Sequence, residues 1–290
     1  MGRHPSKTPE PYISQLLHSR IESGDFPSGV YIVSERGQIV FADALGDAVR
    51  EPEQYAATLE TIYDLASLTK PLVTGLLTAC LLEQDKINLN ETVAKYLFEF
   101  DRPDKSRISV RHLLTHTSGL PAWRPLYLLA HEKEEALAAI ANTELQYEPG
   151  ERVIYSDLGF IVLGFLLEKL TGMRLAELAQ HELFEPLNLN HAFFNPSQAA
   201  RTGIAACESG NAYEHDMCER DFASLSPAIT YSGWRAGIIW GEVHDGNGHF
   251  LGGSVGHAGL FANATDTFRL ANQFLGGLSE LLSPKTCELF

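Results

Sequence analysis

The sequence predicts an α+β fold in which helices flank an antiparallel sheet and a largely helical lobe is added to it. Three observations support this prediction. A helix and a β-hairpin open the chain, and a helical pattern of about a hundred residues begins near position 61. Extended, glycine-rich stretches return only near the end. This order of elements is typical of α+β proteins.

The N-terminal elements follow from local patterns. Apolar residues recur at helical spacing over 13–21 and predict a short amphipathic helix, which the segment "GDFP" ends. The apolar runs 30–33 and 38–41 lie on either side of Arg36-Gly37, which predicts a β-hairpin.

The middle and the end of the chain read mainly as helices. The apolar segments "KPLVTGLLTACLL" and "LGFIVLGFLLEKLTG" predict two buried helices. Asn247-Gly248 predicts a tight turn, and "DTFRLANQFLGGL" a further helix. We predict one domain over 11–290, with an α/β lobe (11–60 and about 226–290), a mainly helical lobe (61–225) and a flexible N-terminus (1–10).

The composition excludes several classes of partner. The chain has 290 residues, 44% of them hydrophobic, and a formal net charge of −15 without a basic cluster, which argues against nucleic acid and anionic membranes. The most apolar runs are shorter than the ~20 residues of a membrane span, and no secretory signal is evident. The four cysteines show no metal-binding spacing. We therefore predict a cytoplasmic protein without cofactor or metal.

Ser67, Lys70 and Pro71 pose the first chemical question. The Pro71 ring would clash with the carbonyl of Ser67 inside a helix, so Ser67 is predicted at a helix N-terminus, where free N–H groups favour negative charge. Lys70 lies on the same face as Ser67 and can exchange a proton with its hydroxyl. The alternative is a serine cap beside a lysine that extends to solvent.

Two further segments join "DLASLTKPLVT" in order: "ISVRHLLTHTSGLP" (108–121) and "YEPGERVIYSDLGFIVLGFLLEKLTG" (147–172). Together the three resemble the serine β-lactamase-related superfamily, which includes class C β-lactamases, D-alanyl-D-alanine carboxypeptidases and esterases of the same fold. The resemblance implies a β-lactamase/transpeptidase-like fold with Ser67 as nucleophile, Lys70 as its partner and Tyr155 as the catalytic tyrosine. We interpret the segment at His116 as a structural turn under the site.

Asp157 departs from the tyrosine-x-asparagine of the β-lactamases. An ionised carboxylate beside Lys70 would repel the carboxylate that β-lactams and D-Ala peptides carry, so Asp157 favours neutral esters as substrates. The alternative is a simple helix N-cap that faces away from the site.

The third motif of the family, Lys or His followed by Thr or Ser and Gly, has only near-matches. Lys285-Thr286-Cys287 lacks the glycine, and Lys169-Leu170-Thr171-Gly172 ends a helix. His257-Ala258-Gly259 resembles a segment that lines the side-chain pocket in relatives, so His257 and Gly259 are predicted to bind substrate together with Asp157. On this alignment the motif strand would follow residue 290. We therefore expect a truncated chain with weak activity and a tendency to self-associate.

Two other patterns are weaker. Gly252–Gly256 fits the nucleophile elbow G-x-S-x-G around Ser254, but no acid and histidine follow it in order. His244, Asp245, His249 and His257 could suggest a metal site, but their spacing fits no known pattern.

The predicted function is that of a serine hydrolase that forms an acyl-enzyme on small-molecule esters or amides, most similar to the carboxylesterases of the family. A β-lactamase or a penicillin-binding D-Ala-D-Ala carboxypeptidase is the alternative within this class. The alternative of another class is a non-catalytic binding protein or an inactive fragment.

Overall fold

The computed structural model describes residues 9–223 and 231–290. Most of the predicted flexible N-terminus, at 1–8, lies outside the described residues, as does the predicted lobe boundary near 225. Within the described part, antiparallel sheets combine with helices, which confirms the α+β prediction.

The predicted N-terminal hairpin is present and belongs to a three-stranded antiparallel sheet of order β1-β2-β3. Val30 lies opposite Ala44, and the register shifts after Val33. Arg36 and Gly37 have φ of 51° and 78°, the left-handed values that a two-residue hairpin turn requires. The elements of this part are α1 (Pro11–Glu22), β1 (Ser28–Glu35), β2 (Gln38–Val49) and β3 (Tyr55–Ala56).

A second, small sheet joins three distant parts of the chain. Its strands are β4 (Tyr63–Asp64), β5 (Ala192–Phe193) and β6 (Phe261–Ala262), in the order β4-β6-β5. The N–H of Leu65 extends this pairing by donating to the carbonyl of Leu260 at 2.9 Å. The sheet therefore fixes the chain directly before Ser67 against the segment that follows His257.

The remaining α-helices are distributed over the rest of the described chain. They are α2 (Leu76–Glu83), α3 (Val110–Leu114), α4 (Ala136–Asn142), α5 (Asp157–Thr171), α6 (Leu175–Ala179), α7 (Ala212–Asp221), α8 (Gly246–Phe250), α9 (Ala264–Asn272) and α10 (Pro284–Cys287). A π-helical segment, Lys70–Gly75, leads into α2. Because Pro71 has no N–H to donate, a wider turn at this point loses no α-helical hydrogen bond of that residue.

The hydrophobic core is built around the two apolar helices that the sequence predicts. Leu76 and Leu77 of α2 and Ile161 and Leu163 of α5 are fully buried in one continuous cluster. Gly164 of α5 allows a close approach, because a Cβ at this position would lie 3.0 Å from backbone atoms of Gly256. The core thus brings the loop around 256 against the helices that carry the site.

One turn prediction is wrong. Asn247 and Gly248 lie inside α8, whose first turn is capped by the Asp245 carboxylate accepting from Gly248 N at 2.6 Å. The Asn247 side chain is fully buried and bonds the backbone of Leu126 and Arg124 at 2.8 Å each. These tertiary contacts, rather than the local turn preference, decide the conformation.

Two further observations concern the surroundings of the fold. In the described ranges no helix has the length and apolar character needed to cross a membrane. All four cysteines are free, and Cys80 is buried in α2, where the sequence places it as a small core residue.

Candidate active site

Ser67 stands on a short turn of unusual backbone conformation. Ala66 has φ of 44°, a left-handed value that is costly for a residue with a Cβ. Its N–H donates to the Asp64 carboxylate at 2.8 Å, which holds the turn. Thr69, fully buried, donates to the carbonyl of Ala66 and accepts from Leu260 N. The turn leaves Ser67 exposed at the start of the helix.

Lys70 is buried and surrounded by polar groups. Only 1% of the residue is exposed, and its Nζ lies 2.8 Å from Ser67 Oγ and 2.7 Å from Asp157 Oδ1. It also donates to the carbonyl of His257 at 3.3 Å and lies 4.7 Å from the centre of the Tyr155 ring. The alternative of a lysine that extends to solvent is therefore not found.

Tyr155 and Asp157 approach this amine from the start of α5. Tyr155 lies in the loop before the helix, as predicted, with about half of its side chain exposed. The N-cap is Ser156, whose Oγ accepts from Gly159 N at 3.2 Å and donates to Pro121 O at 2.7 Å. The alternative in which Asp157 is a helix N-cap that faces away from the site is not found, because Asp157 is the first helical residue and its carboxylate faces Lys70.

The segment 116–122 runs beside the segment 146–157 and supports it. Carbonyls of Thr117, Gly119 and Ala122 accept from backbone N–H groups of this neighbour at 2.8 Å each. Gly119 has φ of 85°, and a Cβ there would lie 2.3 Å from the carbonyl oxygen of Tyr147. Only glycine fits this position. The interpretation of this segment as a turn under the site therefore agrees with the structure.

His257 and Gly259 do not reach the surface of the pocket. The His257 side chain is fully buried, and its Nε2 lies 2.8 Å from Asp245 Oδ1. Gly259 has φ of 108°, and a Cβ there would lie 2.1 Å from the carbonyl oxygen of Gly253. The loop folds back on itself at these positions, so it contributes a backbone carbonyl to Lys70 and no side chain to the pocket.

A pocket of about 680 Å³ opens beside Ser67. Its wall is mostly apolar, and Ser67, Lys70, Arg111, Thr115, His116 and Tyr155 supply its polar side chains. The apolar lining residues include Leu65, Leu68, Leu89, Leu114, Phe160, Phe274, Leu289 and Phe290.

Burial shifts the pKa values of three groups in and around the site. Burial lowers the pKa of His116, and the nearby Lys70 ammonium lowers it further. Burial also raises the pKa of Asp64, against the effect of the N–H groups that it accepts. For Asp245, burial alone would raise the pKa, but the contact with His257 outweighs it and lowers the pKa to about 2.

Neither the G-x-S-x-G motif around Ser254 nor the group of histidines forms an active site in the structure. Ser254 lies in a turn after α8, without the strand and helix that a nucleophile elbow needs. His244, His249 and His257 contact three different carboxylates and do not converge on one point.

A possible metal-binding group in the described part of the chain consists of His215, Asp216 and Glu219. It lies on α7, which contributes no side chain to the pocket.

The sequence misses two features of the site. The ring of His116 lines the pocket and lies 4.5 Å from the Tyr155 ring, centre to centre. The buried pair of His257 and Asp245 supports the loop that contacts Lys70. Both histidines lie in segments that resemble the family, but no spacing indicates what their side chains contact.

Comparison with known proteins places this chain in a family. The family model described as "Beta-lactamase" matches residues 13–286. The chain is 33% identical to a "Putative D-alanyl-D-alanine carboxypeptidase" of Escherichia coli (strain K12), over 96% of this chain and 67% of that protein. It therefore spans about two thirds of the length of this curated relative.

Solved structures show the same fold at low sequence identity. "EstCE1, a hydrolase with promiscuous acyltransferase activity" superposes with a TM-score of 0.73 and 24% identity, covering 96% of this chain and 75% of that one. "A class C beta-lactamase" gives a TM-score of 0.69 at 18% identity, covering 95% and 67% of the two chains.

Proposed function

Since the chain belongs to the beta-lactamase family of serine hydrolases, we propose that it cleaves neutral carboxylic esters through an acyl-enzyme at Ser67. The observation that carries this proposal is the position of Lys70 Nζ, within 3 Å of both Ser67 Oγ and Asp157 Oδ1. A buried lysine amine within hydrogen-bond distance of an exposed serine hydroxyl at a pocket wall is the arrangement of a nucleophile with an adjacent base.

In the proposed reaction Ser67 Oγ attacks the ester carbonyl and forms a tetrahedral intermediate. Lys70 accepts the Ser67 proton as a neutral amine, after its own third proton has passed to the Asp157 carboxylate at 2.7 Å, and a proton then passes through the Tyr155 hydroxyl to the leaving alcohol. The Ser67 N–H, at the beginning of its turn, supplies one donor to the oxyanion. Water then attacks the acyl-enzyme, and the carboxylic acid and free Ser67 are released.

The substrate class follows from the charge and polarity of the pocket. The Asp157 carboxylate lies 2.7 Å from the Lys70 ammonium and neutralises its charge. The pair as a whole therefore does not attract an anionic substrate. The wall beyond Ser67 is largely apolar, which favours the acyl chain of a neutral ester.

A second candidate is D-Ala-D-Ala carboxypeptidase activity. Two observations support it: the name of the E. coli relative, and Arg111, a cation on the wall of the pocket. A guanidinium binds a terminal carboxylate well. A non-catalytic binding protein remains the alternative of another class.

The test measures covalent labelling and turnover together. The wild-type chain is expected to react with a fluorophosphonate probe at Ser67, located by peptide mass spectrometry, and to hydrolyse p-nitrophenyl butyrate. Ser67→Ala should lose both, while the matched control Ser254→Ala should keep both. Release of D-alanine from an N-acyl-D-Ala-D-Ala peptide without ester cleavage would favour the second candidate. Absence of labelling and turnover in the wild-type chain would leave only the binding protein.

A further inference from the structure

His116 holds the backbone on both sides of Tyr155. Its carbonyl accepts from the N–H of Ile154 at 2.9 Å, and its imidazole Nδ1 accepts from the N–H of Ser156 at 3.0 Å. We infer that His116 is a positioning residue for Tyr155, which fixes the phenol beside Lys70 only while the imidazole is neutral. The inference rests on the proposed function, in which Tyr155 exchanges protons with Ser67.

The imidazole also fixes the orientation of the phenol ring. The rings of His116 and Tyr155 lie 4.5 Å apart, and Phe160 packs against the histidine ring at 5.0 Å. The Tyr155 side chain is half exposed, and in the described part of the chain its ring contacts His116 and the Lys70 amine. His116 therefore supports a side chain whose other neighbour, the Lys70 amine, is fully enclosed.

The hydrogen bond to Ser156 defines the protonation state that this role requires. An N–H that donates to Nδ1 needs a free electron pair there, so the proton of the neutral ring lies on Nε2. A second proton would convert Nδ1 into a donor that faces another donor. The bond to Ser156 would then be lost, and with it one of the contacts that hold the loop of Tyr155 in place.

The surroundings favour the neutral ring. The charged groups that face His116 are the Lys70 ammonium, which opposes a second positive charge, and the Asp157 carboxylate, which partly offsets it. The other titratable neighbours are the phenols of Tyr155 and Tyr147; the Tyr147 hydroxyl lies 3.4 Å from the His116 carbonyl oxygen. Protonation of His116 therefore requires a pH below the usual range of histidine.

Two variants separate this role from general packing. His116 has φ of 57°, a conformation that glycine and asparagine tolerate. His116→Gly removes the imidazole without straining the backbone. His116→Asn keeps an acceptor at the position of Nδ1, because asparagine Oδ1 branches from the same carbon, but it cannot be protonated in this pH range.

The kinetic test compares these variants on p-nitrophenyl butyrate from pH 4.5 to 8. We expect His116→Gly to lower kcat about 10- to 100-fold, with KM changed less than about threefold, because a misplaced group slows the chemistry rather than binding. His116→Asn should restore kcat to within about fivefold of wild type and should lose the decline at acid pH that His116 causes. A wild-type kcat in His116→Gly, or an unchanged acid decline in His116→Asn, would overturn the inference.

A spectroscopic test is independent of turnover. In protein labelled with ¹⁵N at histidine and serine, we expect His116 to carry its proton on Nε2, and the Ser156 amide shift to follow the His116 titration. A Ser156 amide that ignores this titration would overturn the inference even in an active chain. A coupled titration in a chain without any acylation would support the positioning of Tyr155 while the proposed function fails.

Discussion

Lys70 Nζ and Asp157 Oδ1 lie 2.7 Å apart and form a largely buried ion pair between two helical segments that are distant in sequence. Lys70 is 1% exposed as a residue, and the Asp157 side chain is 18% exposed. Opposite charges in such a setting interact strongly, and each partner compensates the cost of burying the other. The pair directs the lysine amine at Ser67, and it places the Asp157 carboxylate beside this amine rather than in the lining of the pocket.

The first prediction concerns substrate charge. Asp157→Asn should speed acylation by a penicillin relative to p-nitrophenyl butyrate, because it removes a carboxylate that repels the anionic antibiotic. Two unit charges ~4 Å apart repel each other by about 4 kcal/mol at an effective dielectric near 20, so a repulsion screened to about half of this value still changes the rate more than tenfold. Stopped-flow acylation rates with the neutral ester as control measure it. An unchanged ratio would show that Asp157 only orients Lys70.

The second prediction concerns the stability of this pair. Lys70→Met should lower the free energy of unfolding by about 3 kcal/mol, since Asp157 keeps a charge without its partner. The matched control is Lys95→Met, which breaks the exposed Lys95–Glu91 pair at 2.6 Å and should cost under about 1 kcal/mol. Urea unfolding measures both. Equal losses in the two variants would contradict a special contribution of the buried pair.

The third prediction concerns pH. The pKa of Asp245 is lowered to about 2. The ionised carboxylate therefore stabilises the fold fully at a pH above the usual pKa of aspartate, and this stabilisation is lost as the pH falls towards 2. Asp245→Asn should therefore destabilise the protein by about 2 kcal/mol at pH 6, and this difference should shrink below pH 4. Urea midpoints from pH 3 to 7 follow it. The control is Asp216→Asn, which removes an exposed carboxylate. A loss of stability in Asp245→Asn that does not change with pH would contradict the prediction.

The fourth prediction concerns the support of the Tyr155 loop. Gly119→Ala combines a left-handed φ of 85° with a Cβ 2.3 Å from the Tyr147 carbonyl oxygen, so it should cost more than 3 kcal/mol and reduce acylation of Ser67. Gly172→Ala has the same kind of φ, 73°, but no atom within 4 Å of the new Cβ, and should cost only about 1 kcal/mol. Thermal unfolding distinguishes them. Similar losses of stability in the two variants would mean that the structure relaxes around the new contact with Tyr147 without a free-energy cost.

The sequence by itself determined the class of the fold and the central part of the site. Periodicity located the hairpin at 30–41 and the two buried helices, because a spacing of two or of three to four residues is a local property. Pro71 placed Ser67 at a helix start, because its ring excludes a regular helix around it. The order of three segments then identified the superfamily, and with it Ser67, Lys70 and Tyr155 as candidates.

Only the tertiary structure decided how the side chains meet. Asn247 and Gly248 carry a turn signal, but buried contacts with another segment hold them in α8. Asp157 could have been an N-cap that faces away from the site, but Ser156 is the N-cap and the Asp157 carboxylate contacts Lys70. His257 could have lined the pocket, but its ring bonds Asp245 in the interior. Each outcome depends on a partner far along the chain, and local propensity contains no information about such a partner.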